Sequence, residues 1–359
     1  MEPQRGEHDR LELGEWLAGT GFDVREVHPL AGDVSPRRYE RLTAGDGTTA
    51  ILALYPADHR ATCARFARST AILAGAGVPV PRVLAADCER GWMLLQDLGE
   101  HTLAELRDRP WSELAAYFEN AAALAARIAA LPLDAVRDLN PPLDGALLLR
   151  ELAQTRQLFL EPQGLLPPLA TVASPPPLAM PSLLATWSNP PSLPNPPSAP
   201  PVPRTLLDAA LEDLCGELAA DPPVPCHRDY MARNLVPDGA DGVAVLDHPD
   251  LRLGPPAYDL ASLLNDTLFP PRGLERRLVE AAFPTAAGRL RYHRAAAQRT
   301  LKAVGTYAAF ARRGSARHLP LIAPTLRRFL RHFASVPEGA PLAPGLERAW
   351  GRVLGRGAR

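Results

Sequence analysis

The pattern of apolar residues changes near Gly99, and no other feature limits the fold as much. Upstream, five short strand-like runs are separated by turn-forming Gly and Asp residues, with one helical stretch at 60–74. Downstream, segments rich in Ala and Leu follow one another at helical spacing. The sequence therefore predicts an α+β fold, with a small N-terminal antiparallel sheet lobe and a larger, mainly helical C-terminal lobe.

The same pattern places individual elements. Strands are predicted at 25–29, 37–42 and 48–55 and within the segments VPVPRVLAAD and GWMLLQDLG. Helices are predicted at 8–19, 60–74, 102–108, 111–131, 143–159, 204–219, 256–267, 272–282, 289–313 and 319–333. We place the boundary between the lobes after residue 97, which gives one lobe at 1–97 and a second at 98–359.

Length and charge exclude several classes of protein. A chain of 359 residues suggests two domains or one domain with two lobes. Its formal net charge of -1 argues against non-specific nucleic-acid binding. The four cysteines show no metal-ligand spacing, so neither a zinc site nor a disulfide scaffold is expected. The N-terminus is polar with no apolar stretch behind it, which predicts a cytoplasmic protein, and no obligate protein partner is inferred.

A proline-rich insert occupies residues 162–203. It holds fifteen of the forty prolines, and no charged residue lies between Glu161 and Arg204. Proline breaks the continuous helix that a lipid bilayer requires, so we do not expect this segment to span a membrane. We interpret it as a low-complexity, irregular insert in the second lobe. A shifted reading frame in GC-rich DNA is the alternative, and an uninterrupted codon pattern on resequencing would exclude it.

Basic residues are unusual in kind and in placement. Lys302 is the only lysine, so arginine carries the rest of the positive charge. Residues 281–359 have a formal charge of +13 and the rest of the chain has -14. Such a segment can attract an anionic ligand, although solvated arginines on exposed helix faces are the more ordinary explanation. Lys302 and Arg299 are predicted to share one helix face, where we again favour surface solvation over ligand binding.

The most informative segment runs from Cys226 to Leu264. Its His-Arg-Asp triplet ends at Asp229, Asn234 follows in the same loop, and a predicted strand at 243–246 leads to Asp247. Phosphoryl transfer needs a carboxylate that accepts or orients the proton of an attacking hydroxyl, together with oxygen ligands for Mg²⁺. Singly, each of these residues is more typical of a turn or a strand end. Together they indicate phosphoryl-transfer chemistry in one cleft.

These residues resemble the aminoglycoside phosphotransferase superfamily, which has a protein-kinase-like, two-lobe fold. Within it, the chain looks like the bacterial cell-wall kinases that phosphorylate the anomeric hydroxyl of N-acetylmuramate and N-acetylglucosamine. The resemblance covers nearly the whole chain outside the insert and rests on five segments, GDVSPRRYERL (32–42), MLLQDLGEHTL (93–103), CHRDYMARNL (226–235), VLDHPDLRLGPPAYDLASLLND (245–266) and QRTLKAVGTYAAFARR (298–313). It implies that 1–97 binds the nucleotide and that 98–359 carries the catalytic loop and the acceptor site.

The resemblance also implies roles for individual residues. Asp229 is the implied catalytic base, with His227 and Arg228 beside it, and Asn234 and Asp247 are the implied Mg²⁺ ligands. A second set is implied to bind ATP, through a phosphate-covering turn and a hinge beside adenine: Ser35, Arg37, Arg38, Gln96, Asp97 and Leu98.

The chain departs from kinases in ways that leave the acceptor open. The third predicted strand, AILALYP, has no lysine for the nucleotide phosphates, and the following helix offers arginines but no well-placed glutamate. Arg37 or Arg38 is the candidate to supply that charge. Met231, Ala232 and His248 stand where the sugar kinases usually carry other residues.

The prediction is therefore an ATP- and Mg²⁺-dependent small-molecule kinase, with an amino sugar as the favoured acceptor. Two alternatives stay open at this point. One is a kinase of another alcohol, such as an aminoglycoside, choline or a homoserine-like compound. The other is a non-catalytic pseudokinase that binds a partner through the proline-rich insert.

Overall fold

A computed structural model describes residues 2–30, 36–166 and 205–355 of the chain, with backbone alone for 2–10. Ser35 and most of the predicted insert, from residue 167 onwards, lie outside the described residues. The chain forms two compact units, Met1–Pro141 with Pro225–Arg252, and Pro142–Val224 with Leu253–Arg359. The lobe boundary after residue 97 is a separate division of the chain and stays a prediction.

The first unit contains the five predicted sheet strands and the helices predicted at 8–19, 60–74 and 111–131, in the predicted order. Its elements are α1 (Glu2–Gly19), β1 (Val24–Leu30), β2 (Arg38–Ala44), β3 (Thr49–Leu54), α2 (Arg60–Gly75), β4 (Val83–Asp87), β5 (Trp92–Gln96), α3 (Trp111–Ala129), α4 (Leu133–Val136), β6 (Val224–Cys226), β7 (Leu235–Asp238), β8 (Gly242–Val245) and β9 (Arg252–Gly254). Strands β6 and β9 contain the unit boundaries at 224–225 and 252–253 and are included here. The helix predicted at 102–108 is only a single 3-10 turn, Leu103–Leu106.

A five-stranded antiparallel sheet forms the centre of the first unit, in the order β1–β2–β3–β5–β4. Side chains alternate between its two faces, as a strand requires. Ala53 and Met93 lie opposite each other on the face that packs against Phe66 of α2, whereas Leu52 packs on the other face with Leu17 of α1. This arrangement confirms the predicted sheet and fixes α2 along one side of it.

The expectation of no disulfide is wrong for Cys63 and Cys88, which are bonded to each other. Cys63 is buried in α2, and Cys88 directly follows β4, 25 residues further along the chain. Packing of α2 against the sheet brings their Cα atoms to 5.4 Å, within the range of a disulfide. The sequence spacing could not reveal the pair, because the contact depends on this tertiary packing.

Reduction of the Cys63–Cys88 disulfide is expected to lower the free energy of unfolding by about 3 kcal/mol, because it releases a loop of roughly 25 residues. Denaturant unfolding with and without reductant measures the difference, and a Cys63→Ala/Cys88→Ala double variant should show no effect of reductant. Denatured protein that was purified without reductant should titrate two thiols, those of Cys215 and Cys226. Four thiols would contradict the assignment.

The second unit is built on helices. Its helices are α5 (Gly145–Thr155), α6 (Leu206–Ala220), α7 (Tyr258–Leu264), α8 (Arg272–Ala282), α9 (Ala286–Arg312), α10 (Ile322–Phe333) and α11 (Ala343–Ala349). More than half of the 27 residues of α9 are buried, and α5, α6, α7 and α10 pack against it. Gly305 allows the close approach of α5, because a Cβ atom there would lie 2.7 Å from the Cα of Thr155.

Arg299 is buried and Lys302 is only slightly exposed, and each forms an ion pair, so the expectation of surface solvation is wrong. The Lys302 ammonium lies 3.0 Å from the Glu151 carboxylate, and Arg299 lies 3.8 Å from Asp266. All four side chains are at most 12% exposed. The face that the two cations share is therefore already neutralised by acidic side chains of the same unit.

Other arginines of the basic segment are paired in the same way. Arg294 lies 2.6 Å from Glu338, and Arg328 lies 3.0 Å from the buried Glu275. Arg294 also reaches Glu217, at 3.0 Å, which belongs to α6 rather than to the basic segment. Acidic residues from earlier in the chain thus neutralise part of the +13 charge.

Within the described ranges, no helix has the length and apolar character needed to cross a bilayer.

Candidate active site

The predicted catalytic loop of the first unit follows β6 and is anchored by buried hydrogen bonds. The His227 ring is fully buried, and its Nε2 donates to the Leu246 carbonyl at 2.9 Å. The Tyr230 hydroxyl donates to the Ala121 carbonyl of α3 at 2.8 Å. These contacts on either side hold Asp229, which is half-buried, in a defined position.

Two residues of this region have strained backbones. Among the described residues, Arg228 (φ 74°) and Asp247 (φ 51°) are the two non-glycine residues with positive φ. Such conformations cost energy and persist only where surrounding contacts enforce them, often at functional sites. Here the Arg228 guanidinium donates to the Asp250 carboxylate, which also accepts a bond from Arg252. Arg228 therefore holds the shape of the loop through Asp250.

Asn234 lies between the predicted catalytic loop and the strand that leads to Asp247. It ends a 3-10 turn at Ala232–Asn234, and its Nδ2 donates to the Asp229 carbonyl at 2.8 Å. Its own carbonyl accepts from the Leu246 N–H at 2.8 Å. With Nδ2 engaged in this way, the amide Oδ1 is the atom that can serve as an oxygen ligand.

Arg37 contacts Asp247 directly. Its Nη1 and Nη2 donate to the two carboxylate oxygens of Asp247, at 2.8 and 3.2 Å. The guanidinium also lies 5.8 Å from the centre of the Tyr39 ring. Burial by itself would lower the pKa of Arg37, but the Asp247 carboxylate, together with Tyr39 and Tyr55, outweighs burial and holds that pKa above its ordinary value. The structure thus places Arg37, a predicted phosphate-binding residue, in direct contact with Asp247, a predicted metal ligand.

His248, which follows Asp247, is held by α2. Its Nδ1 lies 2.8 Å from the Ser69 hydroxyl, and its ring packs 4.3 Å from the ring of Phe66. Burial lowers the pKa of His248 to about 3, and the nearby His227 adds to this effect, so the imidazole is neutral near physiological pH. The position of Asp247 is therefore coupled to helix α2.

The predicted base and one predicted metal ligand line the same cleft of the first unit. The cleft has a volume of about 330 Å³. Its lining combines three carboxylates with three basic side chains, together with Thr62 and two prolines: Asp229, Asp247, Asp250, Arg37, His59, Arg65, Thr62, Pro36 and Pro249. Carboxylates beside guanidinium groups suit a ligand that carries both phosphate and a divalent cation.

The predicted hinge residues lie at the end of β5. Asp97 accepts two bonds from Arg41 of β2, at 2.6 and 3.2 Å, and one from the Gly99 N–H. The Gln96 side chain accepts a bond from Arg82, and Leu98 is half-buried. These contacts fix the segment that follows β5, and its proposed contact with adenine stays a prediction.

Arg38 is separated from the predicted catalytic residues. It lies exposed in β2 and lines another cavity of about 460 Å³, together with Trp92 and Arg60. Its neighbour Arg37, which immediately precedes β2, reaches Asp247 instead. Ser35, predicted to donate to a phosphate, lies outside the described residues.

Comparisons with known proteins identify the family of the chain. The phosphotransferase enzyme family (APH) matches residues 26–293 of the chain. The N-acetylmuramate/N-acetylglucosamine kinase of Pseudomonas putida is 30% identical over 304 residues, which cover 80% of this chain and 78% of that protein. The chain belongs to the phosphotransferase enzyme family. The resemblance noted in the sequence is thereby confirmed.

A second relative of this phosphotransferase carries the same name. The N-acetylmuramate/N-acetylglucosamine kinase of Pseudomonas aeruginosa is 34% identical over 248 residues. The match covers 67% of this chain and 60% of that protein, so the chain spans less than two thirds of that relative's length.

Solved structures place the phosphotransferase in the kinase-like fold. The ADP-bound aminoglycoside phosphotransferase APH(2'')-Ib has a TM-score of 0.55 and 14% identity, over 88% of this chain and 97% of that chain. The choline kinase LicA from Streptococcus pneumoniae has a TM-score of 0.55 and 13% identity, over 91% and 98%. At this level of identity the likeness shows the fold alone, and the predicted fold class is confirmed.

Sequence reasoning missed several residues of the cleft in this phosphotransferase. Asp250, His59, Thr62 and Arg65 line it, and none of them belongs to the predicted site. A signal was present for Arg65, because α2 contains arginines but no acidic residue. Which of those arginines faces the cleft depends on how α2 packs against the sheet.

Proposed function

We propose that the chain is an ATP-dependent kinase that transfers the γ-phosphoryl group to the anomeric hydroxyl of N-acetylmuramate or N-acetylglucosamine. The observation that carries the proposal is that Asp229 and Asp247 line one cleft. Asn234 is hydrogen-bonded to the loop that holds Asp229. The names of the relatives support an amino sugar as the acceptor. A cytoplasmic location, where ATP is made and used, fits this activity, and we infer no obligate protein partner.

Asp229 acts as the base in this proposal. Its carboxylate accepts the proton of the sugar hydroxyl as the hydroxyl oxygen attacks the γ-phosphorus. A bond forms between that oxygen and phosphorus, and the bond from phosphorus to the β–γ bridging oxygen breaks, so ADP leaves with the electron pair. The hydrogen bond from Asn234 to the Asp229 carbonyl, together with the buried His227, keeps the carboxylate oriented.

Asn234 and Asp247 fit a Mg²⁺ ion. Both offer oxygen atoms, which hard cations prefer, and Asn234 is oriented with its Nδ2 already engaged. Within the described ranges, no group of three or more His, Cys, Asp or Glu side chains could form a complete protein cage. Mg²⁺ typically takes one or two protein ligands and completes its shell with phosphates and water. When bound, it would neutralise charge that develops on the phosphates.

An acceptor panel tests the proposal. ATP consumption with Mg²⁺ is measured against N-acetylmuramate, N-acetylglucosamine, kanamycin and choline. We expect turnover that depends on the amino sugars and is at background with the other two compounds. Turnover with kanamycin or choline alone would move the activity to another acceptor. ATP binding without turnover on any acceptor would favour the pseudokinase.

A further inference from the structure

Other kinases bind the nucleotide phosphates with a lysine on the third strand, and this chain has no lysine there. Strand β3 (TAILAL) contains no lysine, and α2 contains no acidic residue that could orient one. The only lysine, Lys302, lies in the second unit and is paired with Glu151 at 3.0 Å. A permanently cationic side chain that binds phosphate in the first unit can therefore only be an arginine.

The arginines that line the cleft or lie in the predicted catalytic loop have different hydrogen-bond partners. Arg37 is bound through both Nη atoms to Asp247, and Arg228 is bound to Asp250. Arg65 has no carboxylate partner within the described part of the chain. Its Nη2 donates to the Thr62 hydroxyl at 2.9 Å, one turn earlier on α2.

The Arg65 side chain is oriented but not satisfied. Its Nε is buried and has no hydrogen-bond partner among the described residues. Thr62 and Arg65 both line the cleft that holds Asp229 and Asp247. A buried donor without a partner on a charged side chain is costly, so the geometry favours an anion that completes its bonds. The guanidinium fork matches two oxygens of a phosphate group.

We propose that Arg65 binds the phosphate groups of the nucleotide and takes the role that a β3 lysine has in other kinases, with Thr62 holding its guanidinium in place. The inference rests on the proposed function, because it assumes that the cleft receives a nucleotide. Arg65 can bind phosphate without giving up an ion pair, whereas Arg37 would have to leave the Asp247 carboxylate to do so.

Calorimetric titration of the full chain tests this inference. ATP, ADP and adenosine are each titrated, in Mg²⁺ and in EDTA, into the wild type, Arg65→Gln and Arg65→Lys. Arg68→Gln is the matched control, because Arg68 is exposed on the same helix and does not line the cleft. We expect Arg65→Gln to weaken ATP and ADP binding at least about tenfold, as for the loss of a charged hydrogen bond. Adenosine binding should not change, and Arg65→Lys should recover part of the loss.

Three results would overturn the inference while leaving the proposed function intact. One is ATP binding by Arg65→Gln within twofold of the wild type. Another is an equal loss for adenosine, which would make Arg65 a purely structural residue. The third is unchanged nucleotide affinity with a raised KM for N-acetylmuramate but not for N-acetylglucosamine, which would assign Arg65 to the acceptor carboxylate. A wild type that does not bind ATP would instead overturn the proposed function and this inference with it.

Discussion

Substitution of Asp229 by Asn is expected to lower kcat with an amino-sugar acceptor by about 10²–10⁴-fold, the usual contribution of a general base. Asparagine has nearly the same shape but cannot accept the hydroxyl proton. The backbone carbonyl that accepts the Asn234 bond is unchanged, so the loop should keep its structure. ATP affinity should therefore stay within about twofold of the wild type. Steady-state kinetics and calorimetric titration of ATP separate the two effects.

Asp241→Asn is the matched control for this substitution. Asp241 is exposed beside β8 and does not line the cleft, so its variant should have wild-type kcat. Turnover by Asp229→Asn that equals the control would remove Asp229 from the chemistry. A pure binding module would also show no difference between these two variants, because docking does not need a base.

Substitution of Asp247 by Asn is expected to weaken the apparent affinity for Mg²⁺ by at least about 100-fold. Groups that only orient a metal ligand already contribute about 10–100-fold, so loss of a charged ligand should exceed that range. The substitution also removes the carboxylate that pairs with Arg37, so the half-buried guanidinium loses its charged partner. Titration of Mg²⁺ in the turnover assay, and of ATP with and without Mg²⁺ by calorimetry, measures the change.

One result would show that Asp247 does not bind Mg²⁺. If ATP binding and turnover by Asp247→Asn show the same Mg²⁺ dependence as Asp241→Asn, Asp247 is not a metal ligand. Thermal unfolding of both variants checks that the loss of the Arg37 ion pair has not unfolded the first unit.

The sheet could be predicted from the sequence because its signals are local. Turn residues such as Gly47, which has φ 83°, mark the ends of strands, and alternating apolar residues mark their buried faces. Predicted strands at 37–42 and 48–55 correspond closely to β2 and β3. Helix α2 was also predictable, because Gly75 and Gly77 mark its end.

The partners of charged residues could not be predicted in the same way. Arg37 and Asp247 are 210 residues apart in the chain, and only the packing of the first unit brings them together. Spacing on α9 correctly placed Arg299 and Lys302 on one face. It did not reveal Asp266 and Glu151, which come from other elements of the second unit.

Some residues of the candidate site could be placed from the sequence alone, and others could not. The Asp229 and Asn234 pair lies in one short loop, so its proximity follows from the sequence alone. The proposed adenine contact at Asp97 depends on backbone groups, and its carboxylate is engaged by Arg41 of β2. Arg65 lies on a helix with several arginines, and their spacing alone did not select it.

Phosphorus NMR of the product tests the central claim most directly. The chain is incubated with Mg-ATP and N-acetylglucosamine, and the products are observed by ³¹P spectroscopy with ¹H correlation. Phosphorylation of the anomeric hydroxyl predicts one new phosphomonoester signal that is coupled to the anomeric proton and forms in equal amount with ADP. A phosphomonoester on another sugar hydroxyl, or ADP with inorganic phosphate alone, would contradict it.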